Sequence, residues 1–264
     1  MQAQQQHNIS DLSYPMAGHS KWANIKHRKG AIDAKRGKVF TRIAREIIIA
    51  ARLGGGDQNA NPRLRLAVQK ARAVNMPNDN INRAIQKGTG ELEGQQMEEL
   101  ILEGYGPGGI GILMECVTDN RNRTVADVRK ILSRNGGSMA DAGAVAWNFS
   151  RRTLISVRQE GTTEEEVLLA VLDAGAEDVR TGEETFDVQA PVENFETIRA
   201  ALDAAGCTIA EANLQYVPNQ TLELTGEQAA AALKLLDLLD DYDDVQDLYS
   251  NLEVSEEEMA KIEG

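Results

Sequence analysis

The sequence predicts an α+β protein of three domains: an N-terminal all-helical domain and two α+β (ferredoxin-like) domains, one inserted in the other. Apolar residues recur with helical spacing from about residue 20 to 90, whereas after residue 95 short extended runs alternate with single helices. The length of 264 residues is enough for two or three domains.

The predicted helical domain covers residues 16–94 and contains four helical segments. Asn61 followed by Pro62 is the pattern of an N-cap and a first-turn proline. An Asn-Met-Pro triplet ends that helix, Asn78 caps the next one, and Gly88 ends it. The fifteen residues before this domain are polar and rich in glutamine.

The longest helix is predicted at about residues 31–53, where apolar and cationic side chains occupy separate arcs at 100° per residue. The apolar arc contains Ile32, Val39, Phe40, Ile43, Ala44, Ile47, Ala50 and Ala51. The cation arc contains Lys35, Lys38, Arg42, Arg45 and Arg52. Two residues break the pattern: Arg36 falls in the apolar arc and Ile49 among the cations. In the next helix Arg65 and Arg72 lie together on the outer side.

The discontinuous α+β domain is predicted at residues 95–149 and 218–264. It starts with two strands joined by a glycine-rich turn, then a helix that begins at Thr124 and a strand at 144–149. Residues 150–217 have the order β-α-β-β-α-β of a ferredoxin-like split unit and are interpreted as the insertion. The β-α-β pattern after Pro218 completes the first domain.

Charge is distributed very unevenly along the chain, whose net charge is −13. Residues 16–87 contain sixteen Lys and Arg but four Asp and Glu, a local charge of +12, whereas residues 88–264 carry −24. Such asymmetry indicates that one part meets nucleic acid while the other keeps the molecule soluble.

The sequence contains no motif that predicts catalysis. Residues 104–109 match G-x-G-x-x-G in letters, but a strand follows them instead of a helix, so they predict a hairpin turn. The three histidines all lie near the N-terminus, and the acidic run at 237–244 lacks the glycine and terminal glutamate of a calcium loop. We therefore predict no catalytic residue, no metal and no cofactor.

No run of apolar residues is long enough for a membrane span, and the first fifteen residues do not resemble a secretory signal. Only Cys116 and Cys207 are present, which suits a reducing cytoplasm. The absence of a heptad repeat favours a monomer.

Candidate phosphate contacts begin in the basic segment at residues 18–30, where Trp22 either stacks on a base or anchors the segment to the bundle. The first set is Lys21, Lys26, Arg28, Lys29, Lys35, Lys38, Arg42 and Arg45, and the second set is Arg65 and Arg72.

Several motifs resemble the YebC-type family: MAGHSKWANIKHRK at 16–29, DAKRGKVF at 33–40, NPRLR at 61–65, NMPNDNI at 75–81, EGYGPGG at 103–109 and TDNRNRT at 118–124. The similarity covers essentially residues 16–254. The resemblance implies three domains, one interrupting another, and no established catalytic residues. The usual family start corresponds to Met16, which leaves residues 1–15 as an extension outside the fold. The resemblance also implies gene regulation, because bacterial members are called probable transcriptional regulators that bind DNA, and other members are translational activators or resemble ribosome-associated factors.

The sequence thus predicts a cytoplasmic, non-enzymatic regulator of gene expression that binds DNA or ribosomal RNA, and through the RNA the ribosome, by its basic N-terminal domain. No helix presents a set of side chains suited to reading base edges, so structured RNA is at least as compatible as duplex DNA. The alternative is a protein-interaction module whose acidic α+β domains dock a basic partner.

Overall fold

The computed structural model describes residues 32–93, 96–182 and 184–263. The chain divides into two compact units: unit 1 comprises Met1–Ala146 and Thr221–Gly264, and unit 2 comprises Trp147–Gln220. A helical region precedes two antiparallel four-stranded sheets, so the predicted α+β class is confirmed. The residue bounds predicted for three separate domains stay a proposal, because unit 1 includes both the helical region and the discontinuous α+β domain.

Three helices form the described part of the helical region: α1 (Ile32–Gly54), α2 (Pro62–Ala73) and α3 (Asn78–Thr89). The predicted N-cap of α2 is confirmed, since Asn61 Oδ1 accepts a hydrogen bond from the backbone N–H of Leu64 at 3.0 Å. Asn61 Nδ2 also donates to the carbonyl of Ala50 at 2.7 Å, which fixes the start of α2 against α1. The helices share a buried core that includes Ile47, Leu64, Val68, Ala71 and Ile81.

The end of α3 differs from the sequence prediction. Gly88 lies inside the helix, and Gly90, with a φ of 82°, is the left-handed residue that ends it. A Cβ atom at Gly88 would stand 2.4 Å from the carbonyl oxygen of Ile48 and 2.7 Å from Ala51 Cβ. Gly88 is therefore needed for the close approach of α3 to α1. Asn78 begins α3 and makes no capping bond, because Pro77 occupies the cap position.

We expect the variant G88A to lower the free energy of unfolding by about 1 to 3 kcal/mol, because the added methyl group must push α3 away from α1. The matched control is G37A in α1, where a Cβ would have no described atom within 4 Å. That control should raise stability by roughly 0.5 to 1 kcal/mol, because alanine loses less backbone freedom in a helix. Urea unfolding followed by circular dichroism tests the opposite signs, and a G88A variant as stable as the parent would contradict the packing argument.

The sheet of unit 1 has the order β3-β1-β2-β9 and is antiparallel throughout. Its strands are β1 (Glu98–Tyr105), β2 (Gly111–Thr118), β3 (Ser138–Ala140) and β9 (Val245–Ser250). Helices α4 (Arg121–Arg134) and α7 (Gly226–Asp240) contribute Val128, Leu132, Leu235 and Leu239 to the core on one face of this sheet. A parallel pair, β8 (Leu222–Glu223) with β10 (Leu252–Glu253), and helix α8 (Glu256–Glu263) complete unit 1.

The glycine-rich segment at residues 106–109 is the hairpin turn that the sequence predicts. It joins β1 to β2, and Gly108 and Gly109 have φ values of 70° and 87°, where side chains are disfavoured. A Cβ at Gly108 would also stand 2.7 Å from Leu224 Cδ2. No helix follows this turn, so its glycines serve chain reversal and close packing.

The strand predicted at residues 144–149 is wrong, because only Phe149 lies in a strand and a single 3-10 turn occupies Ala146–Asn148. The cause is Glu103, whose carboxylate accepts backbone N–H groups of Gly143, Val145 and Ala146 at 2.6, 2.6 and 2.8 Å. These bonds hold the chain in a turn. They also lower the pKa of Glu103, although burial alone would raise it.

Unit 2 has the predicted β-α-β-β-α-β order. Its antiparallel sheet, ordered β5-β6-β4-β7, contains β4 (Phe149–Arg158), β5 (Asp178–Thr181), β6 (Thr185–Ala190) and β7 (Ile209–Pro218). Helices α5 (Glu164–Leu172) and α6 (Phe195–Ala204) cover one face through Val167, Val171, Ile198 and Leu202. Thr163 and Glu166 form a capping box at the start of α5.

Candidate nucleic-acid interface

The predicted phosphate contacts fall into three groups in the structure. Lys21, Trp22, Lys26, Arg28 and Lys29 lie outside the described residues. Lys35 lies on α1, but its side chain is outside the description. The remaining five candidates, Lys38, Arg42, Arg45, Arg65 and Arg72, have described side chains.

Three of those five contact the acidic turn, which we define as residues 240–244 at the end of α7. The cations are spaced by four and three residues, so they lie on one face of α1. The ion pairs are Lys38 Nζ with Asp241 Oδ1 at 2.8 Å, Arg42 Nη2 with Asp240 Oδ1 at 3.1 Å and Arg45 Nη2 with Asp244 Oδ1 at 3.0 Å. Arg42 and Arg45 also donate to the main-chain carbonyls of Asp240 and Asp243. We call this set of contacts the charged seam.

The burial of Ile49 is further evidence that this face of α1 is an internal contact. Ile49 lies between Arg42 and Arg45 in projection around the helix axis, and it is 2% exposed, although it does not belong to the hydrophobic cluster of the bundle. Beyond it, Arg52 donates to the carbonyl of Met97, and from α2 Arg63 bonds both carboxylate oxygens of Glu99. The isoleucine that interrupts the predicted cation arc therefore belongs to a covered surface.

Asp244 is the central acceptor of the seam. Its Oδ2 accepts hydrogen bonds from Thr124 Oγ1 at 2.7 Å, Arg123 Nη2 at 2.8 Å and the Tyr242 hydroxyl at 3.2 Å. Burial alone would raise the pKa of Asp244, but the bonds from Arg123 and Thr124 and the charge of Arg45 outweigh it and lower the pKa. Burial, together with bonding to Asp127, raises the pKa of Tyr242 to about 12. Asp244 thus joins α1 and α4 through an ionised carboxylate.

Arg65 and Arg72 differ from the seam cations because they are exposed on the outer side of α2. Arg83 and Lys87 are similarly exposed on α3. None of these four side chains has a salt bridge to any described carboxylate, so their charges are available to an external anion.

A second basic surface, on α4, was missed by the sequence analysis. This helix of 14 residues contains five cations, Arg121, Arg123, Arg129, Lys130 and Arg134, and one acid, Asp127. Arg129, Lys130 and Arg134 are exposed and form no ion pair within the described parts of the chain. The signal was present in the local charge of α4, but the large acidic excess of residues 88–264 concealed it.

The described residues contain neither a metal-binding cluster nor an activated thiol. No group of three His, Cys, Asp or Glu there could hold a metal ion. Burial raises the pKa of Cys116 to about 12, and Cys207 is also buried with a raised pKa. Neither thiol is therefore an activated nucleophile. Across 32–93, 96–182 and 184–263, every helix is too short or too polar to cross a membrane.

Comparisons with known proteins agree over nearly the whole chain. Residues 20–91 match the family model described as TACO1/YebC protein N-terminal domain, and residues 97–252 match the TACO1/YebC second and third domain. A probable transcriptional regulatory protein of Carboxydothermus hydrogenoformans is 52% identical, with 90% of this chain and 99% of that protein covered. One of Geobacter sulfurreducens is 51% identical, covering 94% and 100%. The solved structure of a conserved hypothetical protein from Aquifex aeolicus has a TM-score of 0.81 at 43% identity, covering 89% and 98%.

Proposed function

Because the chain belongs to the TACO1/YebC family, we propose that it is a non-enzymatic regulator of gene expression that binds nucleic-acid phosphates through its basic N-terminal domain. The names of its relatives support a regulatory role. The observation that carries the proposal is the charge of +12 on residues 16–87, of which the exposed Arg65 and Arg72 have no ion-pair partner in the described chain.

The charged seam changes the proposed list of contacts. Lys38, Arg42 and Arg45 are neutralised by the acidic turn, so they contact phosphate only when the seam opens. We propose that the closed form binds through Arg65 and Arg72 together with Lys21, Lys26, Arg28, Lys29 and Lys35, with Trp22 stacking on a base. These seven cations are enough for salt-dependent binding of moderate affinity.

Recognition by backbone and shape favours structured RNA over a specific DNA sequence. The outward side chains of α2 that carry charge are arginines and lysines, and Gln69, exposed between Arg65 and Arg72, is the one exposed amide of that helix, which is a small set for reading base edges. We therefore propose ribosomal RNA as the preferred target and translational activation on the ribosome as the role, with the protein acting as a cytoplasmic monomer. Duplex DNA is the competing target.

Salt titration of the full-length protein tests the proposal. With seven phosphate contacts, the logarithm of affinity for duplex DNA should fall against the logarithm of salt concentration with a slope of about −6. The variant R65Q/R72Q should reduce the magnitude of that slope by about 2, because two contacts are lost. Fluorescence anisotropy with a labelled 20-base-pair DNA and a labelled ribosomal RNA hairpin measures both, and tighter binding of the hairpin would support the RNA assignment.

The matched control is R158Q/K234Q, which also removes two exposed cations but lies outside the helical domain. Its slope should equal that of the parent. Equal slopes for R65Q/R72Q and the parent would contradict binding through α2, and a shallow slope for the parent would contradict phosphate binding altogether.

A further inference from the structure

Unit 2 exposes a continuous apolar stripe on α5. Leu168, Leu169 and Leu172 are 46%, 66% and 61% exposed, and they share an arc of about 100° on the side of the helix away from the sheet. With Glu165 one turn earlier, they occupy positions i, i+3, i+4 and i+7. Monomeric proteins rarely leave three neighbouring leucines in water unless the surface contacts a partner.

Acidic residues border this stripe at both ends of the helix. Glu164 and Glu165 lie at its N-terminal end, Asp173 follows Leu172, and all three are exposed. No Lys or Arg lies on α5, and residues 147–220 contain five basic and fourteen acidic residues, a net charge of −9. The surface therefore attracts a ligand that is both apolar and positively charged.

The negative charge of unit 2 also distinguishes between the classes of partner that could cover the stripe. Nucleic acid and anionic lipid would be repelled by the acidic border, and a second copy of the chain would bring two units of charge −9 together. A basic amphipathic helix satisfies both features, because its leucines cover the stripe and its lysines pair with the surrounding carboxylates.

We propose that the α5 surface, defined as Glu165, Leu168, Leu169, Leu172 and Asp173, is a docking site for a basic amphipathic helix of another protein. This proposal is independent of the nucleic-acid proposal, which concerns unit 1. A regulator with both surfaces binds a phosphate backbone by one unit and a basic protein by the other.

The test uses the full-length protein and a fluorescent 18-residue helical peptide of Leu and Lys with one apolar face. Two control peptides are used. One has the same residues in scrambled order, and the other is an amphipathic helix of Leu and Glu. We expect the amphipathic Leu/Lys peptide to bind at least roughly tenfold more tightly than either control, because only it presents both the apolar face and the charge. Equal binding of the scrambled peptide would overturn the proposal, since it would indicate attraction by charge alone.

Variants locate the site. L169Q/L172Q should weaken peptide binding by roughly tenfold or more, because two leucines no longer enter the interface. The matched control L53Q/L238Q removes two leucines that are 67% and 39% exposed in unit 1, and it should change affinity less than about twofold. Charge reversal in E165K/D173K should transfer the preference to the Leu/Glu peptide. An unchanged preference in that variant, or unchanged affinity in L169Q/L172Q, would overturn the assignment.

Two further measurements exclude the other occupants. Analytical ultracentrifugation should give a monomer for both the parent and L169Q/L172Q; a dimer that the substitution abolishes would assign the surface to a second copy and overturn the proposal. The protein should not cosediment with phosphatidylglycerol vesicles. If the parent bound these vesicles and L169Q/L172Q did not, the surface would be assigned to a membrane and the proposal would be overturned. DNA binding of L169Q/L172Q should equal that of the parent, which distinguishes failure here from failure of the nucleic-acid proposal.

Discussion

Replacing Asp244 by alanine is expected to lower the free energy of unfolding of unit 1 by about 3 kcal/mol. The side chain of Asp244 is 3% exposed, and its loss leaves Arg45, Arg123 and Thr124 without their shared acceptor. The value lies at the lower end of the range for broken buried ion pairs, because Arg123 is half-exposed and can regain water. Thermal and urea unfolding measure the loss.

The control for this substitution is one residue away. Asp243 is exposed and contributes its main-chain carbonyl, not its carboxylate, to the bond with Arg45. D243A should therefore stay within about 0.5 kcal/mol of the parent. If D243A and D244A were equally stable, Asp244 would not hold α1 against α4.

The same residue gives a pH dependence whose sign follows from its lowered pKa. A carboxyl group with a folded-state pKa below its unfolded-state value stabilises the protein above the unfolded pKa, and this contribution is lost as the pH falls through the folded value. The stability difference between the parent and D244N should therefore be complete at neutral pH and decrease below about pH 4. A difference independent of pH between 2 and 7 would contradict an ionised Asp244.

Local signals in the sequence were sufficient for much of this fold. The pair Asn61 and Pro62 specifies its cap within three residues, and the glycines at 108 and 109 specify their turn, because both depend on neighbouring backbone groups. The sequence β-α-β-β-α-β likewise predicted unit 2. Elements that depend on distant residues were not predictable in this way: Glu103 bends residues 143–146 from forty positions earlier.

In the candidate site, too, features set by neighbouring residues were predictable and contacts with distant residues were not. Helical periodicity correctly grouped Lys38, Arg42 and Arg45 on one face of α1, but it could not say what faces them, because their acceptors are about 200 residues away. Ile49 was the available clue. Ile is among the residue types most often buried, and the structure buries Ile49, but a single apolar residue on a surface is common, so the sequence alone did not decide between the two.

Neutralising two carboxylates of the acidic turn, in the variant D240N/D241N, is expected to make nucleic-acid binding tighter at low salt and steeper in its salt dependence. The substitutions remove the charges that pair with Arg42 and Lys38, so both cations become available to phosphates. Two added contacts increase the magnitude of the slope by about 2, which corresponds to a further loss of roughly tenfold in affinity between 50 and 200 mM salt.

D141N/D203N is the matched control, since it changes the net charge by the same amount at two exposed carboxylates outside the acidic turn. It measures the general effect of a less negative protein, which should be small when salt screens distant charges. A slope for D240N/D241N equal to that of D141N/D203N would show that Lys38 and Arg42 serve the charged seam alone.

Accessibility makes this comparison decisive. The side chains of Lys38 and Arg42 are 21% and 19% exposed, so a phosphate group cannot form a full contact with either while α1 lies against the acidic turn. Gain of two contacts in D240N/D241N therefore requires that the seam opens, and amide hydrogen exchange in α1 should rise in that variant on the same scale as its affinity gain. Competition between carboxylates and phosphates for the same cations would make the acidic turn an internal mimic of the nucleic-acid backbone.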